Sequence, residues 1–296
     1  MQQKIGSFHF KSILKNPDID SIGEDFILLD NPIITSFFDR PFKADAITGI
    51  ICTKGYMKGS INLKKYHSTA PCFFIVLPDQ ILQFEEFSDD LKAYFVIMSD
   101  RFANKLIALN IKDKLPLSRS VQANPWVPLS PSELDSMLTF YKILKMTVRM
   151  KENEHREEIV LLLTQAFFLG LSHQFHKLPE NTTKSKKELL TEKFIQYAEQ
   201  HYKTERSMQF YADKMALTPK YLSKIIKENT ELTANEWINN YVVLEAKALL
   251  VSTDMTIQQI SNELNFPSQS FFGKYFKRQT GISPREYREK NISADF

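Results

Sequence analysis

The chain contains few of the residues and segments that secreted, membrane and disulfide-stapled proteins depend on. It has only two cysteines, Cys52 and Cys72, each inside a strand-like apolar stretch. We therefore expect reduced core thiols in a cytoplasmic protein. The most apolar segment, 159–171, has 13 residues and is too short to cross a bilayer. The first twenty residues show no apolar run before a small-residue cleavage site, so we predict neither a secretory signal nor a membrane partner.

Residues typical of catalytic sites are also scarce. Of six histidines, only His67 falls among the predicted strands, and no His-x-His occurs. A metal centre in a small barrel needs clustered imidazoles and a carboxylate. The sequence also lacks the nucleophile elbow, the P-loop and the dinucleotide fingerprint. We predict no enzyme, no catalytic residues, no metal and no cofactor. A cupin-type metal-dependent enzyme is kept as one alternative.

The net charge is only +3, but it is unevenly distributed. Basic residues outnumber acidic residues from Lys184 onward, and the preceding residues carry no basic excess. Charge runs are usually solvated faces, so this surplus alone is weak evidence. Its position matters because the same region contains a repeat.

Residues from Ser207 to Arg288 contain one helix-turn-helix pattern twice. The first helices carry apolar or small residues at i, i+3, i+4 and i+7, which defines one face of each: Met208, Tyr211, Ala212 and Met215, then Ile257, Ile260, Ser261 and Leu264. The predicted inward sets of the second helices are 50 residues apart: Tyr221, Leu222, Ile225 and Ile226, then Phe271, Phe272, Tyr275 and Phe276. Two such units suit two successive major grooves of one DNA duplex.

The limits of the predicted helices are well marked. Thr218-Pro219 reads as an N-cap followed by proline at the first helical position. Three pairs read as capping boxes: Thr233 with Glu236, Thr256 with Gln259, and Ser283 with Glu286. Asn265 stands where a left-handed residue is needed. The connecting helix, 234–251, is predicted to be ~27 Å long, close to the ~34 Å between groove faces one turn apart.

The stretch "YLSKIIKE…EWINNYVVLEAKALL…TIQQISNELNFPSQSFFGKYFKRQTGISPREYR" resembles the C-terminal DNA-binding domain of the AraC/XylS transcription regulators. The resemblance covers about Thr191 to Glu289. It departs from the family at Val242, where arginine is common, and at Ser261 and Asn265, where alanine and glycine are usual. It implies a sequence-specific transcription regulator with a cupin-like regulatory domain ahead of the DNA-binding units. A helical protein-binding scaffold that does not touch DNA is the other alternative.

The outward faces of the second helices supply the predicted DNA-binding residues. By the resemblance, base-reading positions are Lys220, Ser223 and Lys224 in the first unit and Gln269, Ser270, Gly273 and Lys274 in the second. Lysine suits guanine, glutamine suits adenine, and glycine permits close approach. Lys227, Lys277 and Arg278 lie later on the helices and are expected to meet phosphates.

The N-terminal half is predicted to be rich in short strands. The runs are 26–29, 33–38, 46–53, 60–66, 71–77, 81–87 and 91–98, separated by turn residues. Helices are predicted at 100–110, 131–151 and 156–175. We therefore predict a two-domain α+β chain: a cupin-like β-barrel with two flanking helices at 1–175, a linker at 176–188, and an all-α tandem helix-turn-helix domain at 189–290.

Three further partners are predicted, besides double-stranded DNA. The helix at 156–175 is apolar almost all round, so its surplus surface is expected to bury against a second copy in a homodimer. A small-molecule effector is expected in the barrel, with Tyr56, Tyr66, Phe74 and Phe84 as candidate lining. RNA polymerase is a candidate partner of any such regulator.

Overall fold

The fold is described from a computed structural model, which covers residues 13–14, 19–31, 41–108, 125–177 and 185–292. The chain divides into two compact units, the first built mainly from residues up to Pro179 and the second mainly from Glu180 onward. Most of the predicted linker, 176–188, lies outside the described residues. The predicted domain limits, 1–175 and 189–290, stay predictions. The α+β composition with an all-α C-terminal unit is confirmed.

The described strands of the N-terminal unit form two antiparallel sheets. The strands are β1 (Asp20–Ile22), β2 (Phe26–Asp30), β3 (Phe42–Lys43), β4 (Ile47–Lys54), β5 (Tyr56–Ile61), β6 (Lys64–Thr69), β7 (Cys72–Val76), β8 (Ile81–Phe87), β9 (Lys92–Met98) and β10 (Trp126–Pro128). One sheet has six strands in the order β1-β2-β9-β4-β7-β10, and the other has four in the order β3-β8-β5-β6. The rings of Tyr66 and Phe74 meet between the sheets at 5.2 Å.

The strands do not close into the predicted barrel, because the two sheets keep separate hydrogen-bonded orders. The predicted strand 60–66 is also wrong, since a turn at Asn62 and Leu63 divides it into β5 and β6. Both residues adopt positive φ, 48° and 68°, which ends the extended backbone. The apolar residues on either side hide that turn in the sequence. The predicted strand 33–38 lies outside the described residues.

Within the described residues, three helices accompany the sheets: α1 (Asp100–Ala108), α2 (Pro131–Arg149) and α3 (Arg156–Lys177). The inner face of α2 is buried in one core with α3 and the six-stranded sheet. Phe167 of α3 meets Phe73 of β7 at 5.8 Å between ring centroids. Among the described side chains of this region, five large apolar ones are instead exposed. They are Ile143 and Met146 of α2, Met150 directly after it, and Leu162 and Leu169 of α3.

The two cysteines lie opposite each other on neighbouring strands. Cys52 of β4 pairs with Cys72 of β7, and both side chains are buried. The hydrogen bond that the Cys52 thiol donates to Cys72 and the burial of the thiol raise the pKa of Cys52. Both cysteines are therefore core residues of the N-terminal unit, as the sequence predicts.

The C-terminal unit consists of helices: α4 (Lys186–His201), α5 (Met208–Lys214), α6 (Pro219–Thr230), α7 (Ala234–Ser252), α8 (Ile257–Glu263), α9 (Gln269–Thr280) and α10 (Pro284–Ile292). They enclose two apolar cores. The N-terminal half of α7 contributes to the first core with α4, α5 and α6. Its C-terminal half contributes to the second core with α8 and α9. One continuous helix therefore joins the two repeats.

No helix in the described ranges combines the length and the apolar character that a membrane crossing needs.

Candidate nucleic-acid interface

Each repeat forms a helix, a turn and a second helix, with matching turn geometry. Ala216 follows α5 and Asn265 follows α8, and both adopt positive φ, 53° and 51°. The next amide closes each turn: Leu217 donates to the Ala212 carbonyl and Phe266 to the Ser261 carbonyl, both at 2.9 Å. The predicted left-handed role of Asn265 is therefore confirmed. Asparagine tolerates this conformation well among non-glycine residues.

The second helix of each repeat begins at a side-chain cap. Thr218 Oγ1 accepts from the Tyr221 amide at 3.2 Å, and Pro219 follows as the first residue of α6. Ser268 Oγ accepts from the Phe271 amide at 3.4 Å at the start of α9. These caps satisfy amides that a helix N-terminus leaves without partners. They fix where the first turn of each helix lies.

The inward stripes of α6 and α9 are narrower than predicted. Leu222, Ile225 and Ile226 are buried in the first, and Phe272 and Phe276 in the second. Tyr221 and Phe271, both predicted inward, are 44% and 63% exposed, so that prediction is wrong. Each precedes a fully buried residue by one position, and one residue is a rotation of about 100° around a helix. That rotation places both aromatic side chains on the outward side.

The predicted DNA-binding residues lie on the outward faces. The exposed ones are Lys220, Lys224, Lys227, Gln269, Ser270, Lys274, Lys277 and Arg278, while Ser223 and Gly273 are partly exposed. A Cβ built on Gly273 would meet no atom within 4 Å, so the surface in front of it is open. No described contact tests whether these residues bind DNA, and their assignment stays a prediction.

Two of the cations already have partners on the protein. Lys224 Nζ lies 3.8 Å from Glu228 Oε1, one helical turn later. The Glu228 carboxylate also forms a 2.8 Å ion pair with Lys187 of α4. Arg278 lies with its guanidinium carbon 5.7 Å from the Tyr275 ring centroid. These exposed contacts are weak enough to be exchanged for a phosphate or a base.

A second set of contacts ties the repeats to each other through buried polar groups. Glu245 of α7 is fully buried, and it forms a 3.0 Å ion pair with Lys203 and accepts a 3.0 Å hydrogen bond from Tyr202. Lys203 also pairs with Glu263 of α8 at 2.9 Å. Burial alone would lower the pKa of Lys203, but the two carboxylates outweigh it and raise that pKa. The lysine therefore stays charged between α7 and the second repeat.

Arg206, just before the first repeat, reaches the turn of the second. Its guanidinium carbon lies 4.1 Å from the Phe266 ring centroid, and Nη2 donates to the Leu264 carbonyl. Phe266 in turn meets Tyr275 of α9 at 5.0 Å, and the Tyr275 hydroxyl donates to Asn239 of α7 at 2.8 Å. Burial raises the pKa of Tyr275 to about 12. This chain of contacts holds the two repeats in one arrangement, and the sequence pattern gave no sign of it.

The connecting helix and its caps match the prediction. Helix α7 has 19 residues, which corresponds to ~28 Å. Thr233 and Glu236 form its capping box, and Thr256 with Gln259 forms that of α8. At the start of α10 the Ser283 amide donates to Glu286 at 2.7 Å, and the Glu286 amide donates to Ser283 Oγ at 3.2 Å. All three predicted capping boxes are confirmed.

Residues 211–290 match the model of a helix-turn-helix domain family. Over 98 residues the chain is 29% identical to the regulatory protein PocR of Salmonella typhimurium, covering 33% of this chain and 32% of that protein. Over 95 residues it is 30% identical to the transcriptional activator RhaS of Escherichia fergusonii, covering 32% and 34%. The C-terminal unit is a helix-turn-helix domain of the AraC/XylS family. The resemblance predicted for it is confirmed.

The matched segment spans about a third of the length of each of these curated relatives, so the likeness concerns the AraC-type domain alone. Among solved structures, the chain is similar to ToxT from Vibrio cholerae. That comparison covers 89% of this chain and 98% of that one, at 15% identity and a TM-score of 0.41.

In the described part of the chain, no three His, Cys, Asp or Glu side chains come together as a metal-binding group. His67 lies exposed on β6, next to the ring of Tyr56 at 5.8 Å. Of the candidate effector-lining residues, Phe74 and Phe84 are buried and Tyr66 packs on Phe74. Tyr56 donates a hydrogen bond to Glu86 at the surface of the four-stranded sheet.

Proposed function

We propose that this protein is a sequence-specific DNA-binding transcription regulator that places α6 and α9 in two adjacent major grooves. The observation that carries the proposal is the repeated arrangement of two capped helices with exposed cationic faces, joined by the single helix α7. A recognition helix meets base edges with its N-terminal residues, and dimeric or tandem readers space such helices by one turn of DNA. The likeness to the regulators PocR and RhaS supports the same function.

Within this proposal, residues early on each helix read bases and later residues bind phosphates. The base-reading set is Lys220, Ser223, Lys224, Gln269, Ser270, Gly273 and Lys274. The phosphate-binding set is Lys227, Lys277 and Arg278. The division follows from the docking of a recognition helix, whose later turns move toward the edge of the groove.

Alanine substitutions of three exposed lysines test the proposal. Lys224→Ala or Lys274→Ala is expected to cost ~1–3 kcal/mol on the preferred sequence and to relax specificity at a few base pairs. Lys277→Ala is expected to weaken binding to all sequences alike and to lower the salt slope by ~1. Binding titrations at several salt concentrations measure both effects. Equal, sequence-independent losses for all three variants would contradict the assignment of base-reading positions.

The N-terminal unit is proposed to hold two copies together and to bind a small effector. Ile143, Met146 and Met150 recur at i, i+3 and i+7, which forms an exposed apolar stripe along α2 and its end. Leu162 and Leu169, seven residues apart, form a second stripe on α3. Exposed apolar surface of this kind is typical of an interface between subunits.

Two further parts of the proposed function follow from DNA binding. The protein must reach the genome, so we propose a cytoplasmic location. RNA polymerase is the proposed partner through which the bound regulator acts on transcription.

The oligomeric state of the full chain tests the stripe. We expect a dimer in sedimentation, and we expect Met146→Glu, at a side chain 61% exposed, to shift it toward monomer. The matched control is Leu189→Glu, which places the same charge on an exposed leucine of α4 outside the stripe and is expected to leave the dimer intact. A monomeric wild-type chain would refute the dimer. It would not refute DNA binding by a single chain, which the lysine variants test separately.

A further inference from the structure

The two reading helices carry an exposed aromatic side chain at the same repeat position. Phe271 of α9 is 63% exposed and Tyr221 of α6 is 44% exposed, and they stand 50 residues apart. Each is the third residue of its helix, and the amide of each is bound by the N-cap side chain. Both aromatic residues therefore lie in the first turn of a capped helix.

Folding of the domain does not account for Phe271. The inner side of α9 is already filled by Phe272 and Phe276, which are fully buried. An exposed phenylalanine forgoes most of the stabilisation that burial of its ring would give. A large aromatic side chain that the fold leaves partly in water, at the same position of both repeats, fits a surface that a partner covers.

The surroundings of Phe271 favour a polyanionic partner. The ring borders a cleft of about 290 Å³ that also contains cationic and aromatic groups. The cleft is lined by Phe266, Pro267, Phe271, Lys274, Tyr275 and Arg278. Lys274, Lys277 and Arg278 are exposed on the same helix. Their charge complements a nucleic acid, and the first turn of a recognition helix is the part that meets base edges.

We propose that Phe271 is a specificity-determining residue that contacts the 5-methyl group of a thymine in the groove read by α9. The inference rests on the proposed DNA-reading function and adds a base preference to it. A phenylalanine ring can neither donate nor accept a conventional hydrogen bond, so the feature it can read in the major groove is apolar. The thymine methyl is the apolar group that a major groove offers. Tyr221 differs by a hydroxyl group that can also bond a polar base atom or a phosphate.

Deoxyuridine substitution tests this contact because it removes the methyl group alone. A preferred sequence is first selected from random DNA with the full-length protein, and each thymine is then replaced in turn by deoxyuridine. We expect one thymine in the α9 half of the site at which the replacement weakens binding about fourfold, the value of one buried methylene-sized group. In Phe271→Ala that difference disappears, and in Phe271→Leu part of it returns. Tyr221→Ala, the matched control, leaves it unchanged at that base.

The outcomes separate this inference from the proposed function. Selection that enriches no sequence would defeat the proposed function itself. Specific binding with no methyl-sensitive thymine in the α9 half, or a methyl effect that survives in Phe271→Ala, would overturn the thymine contact alone. Unchanged DNA binding by Phe271→Ala combined with lost transcriptional response would assign the ring to a protein partner and would also overturn it. Thermal melting confirms that each variant is folded.

Discussion

Replacement of Arg206 tests whether the two repeats of the AraC-type domain are held as one rigid body. Its guanidinium stacks on Phe266 at 4.1 Å and donates to the Leu264 carbonyl in the turn of the second repeat. It also donates to the Lys203 carbonyl at 3.3 Å. Burial lowers the pKa of Arg206, because removing its charge from water costs solvation free energy. The contacts with Phe266 and the two carbonyl groups offset that cost.

The expected loss for Arg206→Ala can be estimated from those contacts. A stacked cation contributes about 1 kcal/mol, and a hydrogen bond from a charged donor about 1.5–3 kcal/mol. Part of this loss is offset because Arg206 Nε is buried without a hydrogen-bond partner in the described part of the chain, and the substitution removes the desolvation cost of that group. We expect a net loss of about 2 kcal/mol. For a unit of this size that lowers the melting temperature by roughly 8–16 °C.

The assay is a thermal scan of the full chain followed by tryptophan fluorescence. The chain has two tryptophans, so Trp126→Phe leaves Trp237 of α7 as the reporter of the C-terminal unit. Arg206→Lys keeps the charge without the flat stacked group and should fall between wild type and Arg206→Ala. Arg285→Ala is the matched control, because that arginine is exposed and pairs only across one helical turn of α10 among the described contacts. If Arg206→Ala and Arg285→Ala had the same melting temperature, Arg206 would not hold the repeats together.

Two further predictions concern stability. Trp237 is partly buried in the first core, and its Nε1 donates to Thr230 Oγ1 at 2.8 Å. We expect Trp237→Ala to lower the free energy of unfolding by about 2–3 kcal/mol, less than the 3–5 kcal/mol of a fully buried aromatic. Trp237→Phe should lower it by about 1 kcal/mol, for the lost hydrogen bond. Denaturation followed by circular dichroism measures both, and equal losses would show that the hydrogen bond rather than packing dominates. Asp25 is nearly buried and its pKa is lowered mainly by hydrogen bonds from Arg101. A carboxyl group whose pKa is lower in the folded than in the unfolded protein stabilises the fold at pH values above its unfolded-state pKa of about 3.9. That stabilisation is lost as the pH falls through the folded-state pKa. Asp25→Asn should therefore destabilise the N-terminal unit at pH 7 and much less at pH 3. Trp126 fluorescence in urea, with Trp237 replaced by phenylalanine, measures this, and a loss independent of pH would contradict the role of that charge.

The helices and their limits could be predicted from the sequence where local chemistry decides them. The capping pair Thr233 and Glu236 and the left-handed Asn265 act within a few residues of each other, so a single sequence shows them. The repeat at 50 residues then identified the outward lysines. The sequence pattern failed at Tyr221 and Phe271, because apolar character alone cannot tell an inward position from a neighbour rotated by one residue.

Long-range contacts could not be predicted in the same way. Arg206 and Leu264 are 58 residues apart in sequence, and Tyr202 and Glu245 are 43 apart. Nothing in either local pattern indicates the partner. The open sheets of the N-terminal unit are a similar case, since strand spacing predicts how many strands form but not whether their hydrogen-bonded order closes. The turn at Asn62 and Leu63 was hidden for a simpler reason, because leucine rarely adopts positive φ.

The separation of the two base contacts on DNA shows whether α6 and α9 occupy two adjacent major grooves. Footprints of the full chain on a selected sequence are compared with those of Lys224→Ala and Lys274→Ala, and the base pairs at which each variant loses protection or preference are mapped. Because α7 and the Arg206 contacts fix the distance between the reading helices, we expect two clusters of affected base pairs about one helical turn apart, ~10 base pairs. Both effects within a single half-turn of DNA would contradict the two-groove arrangement.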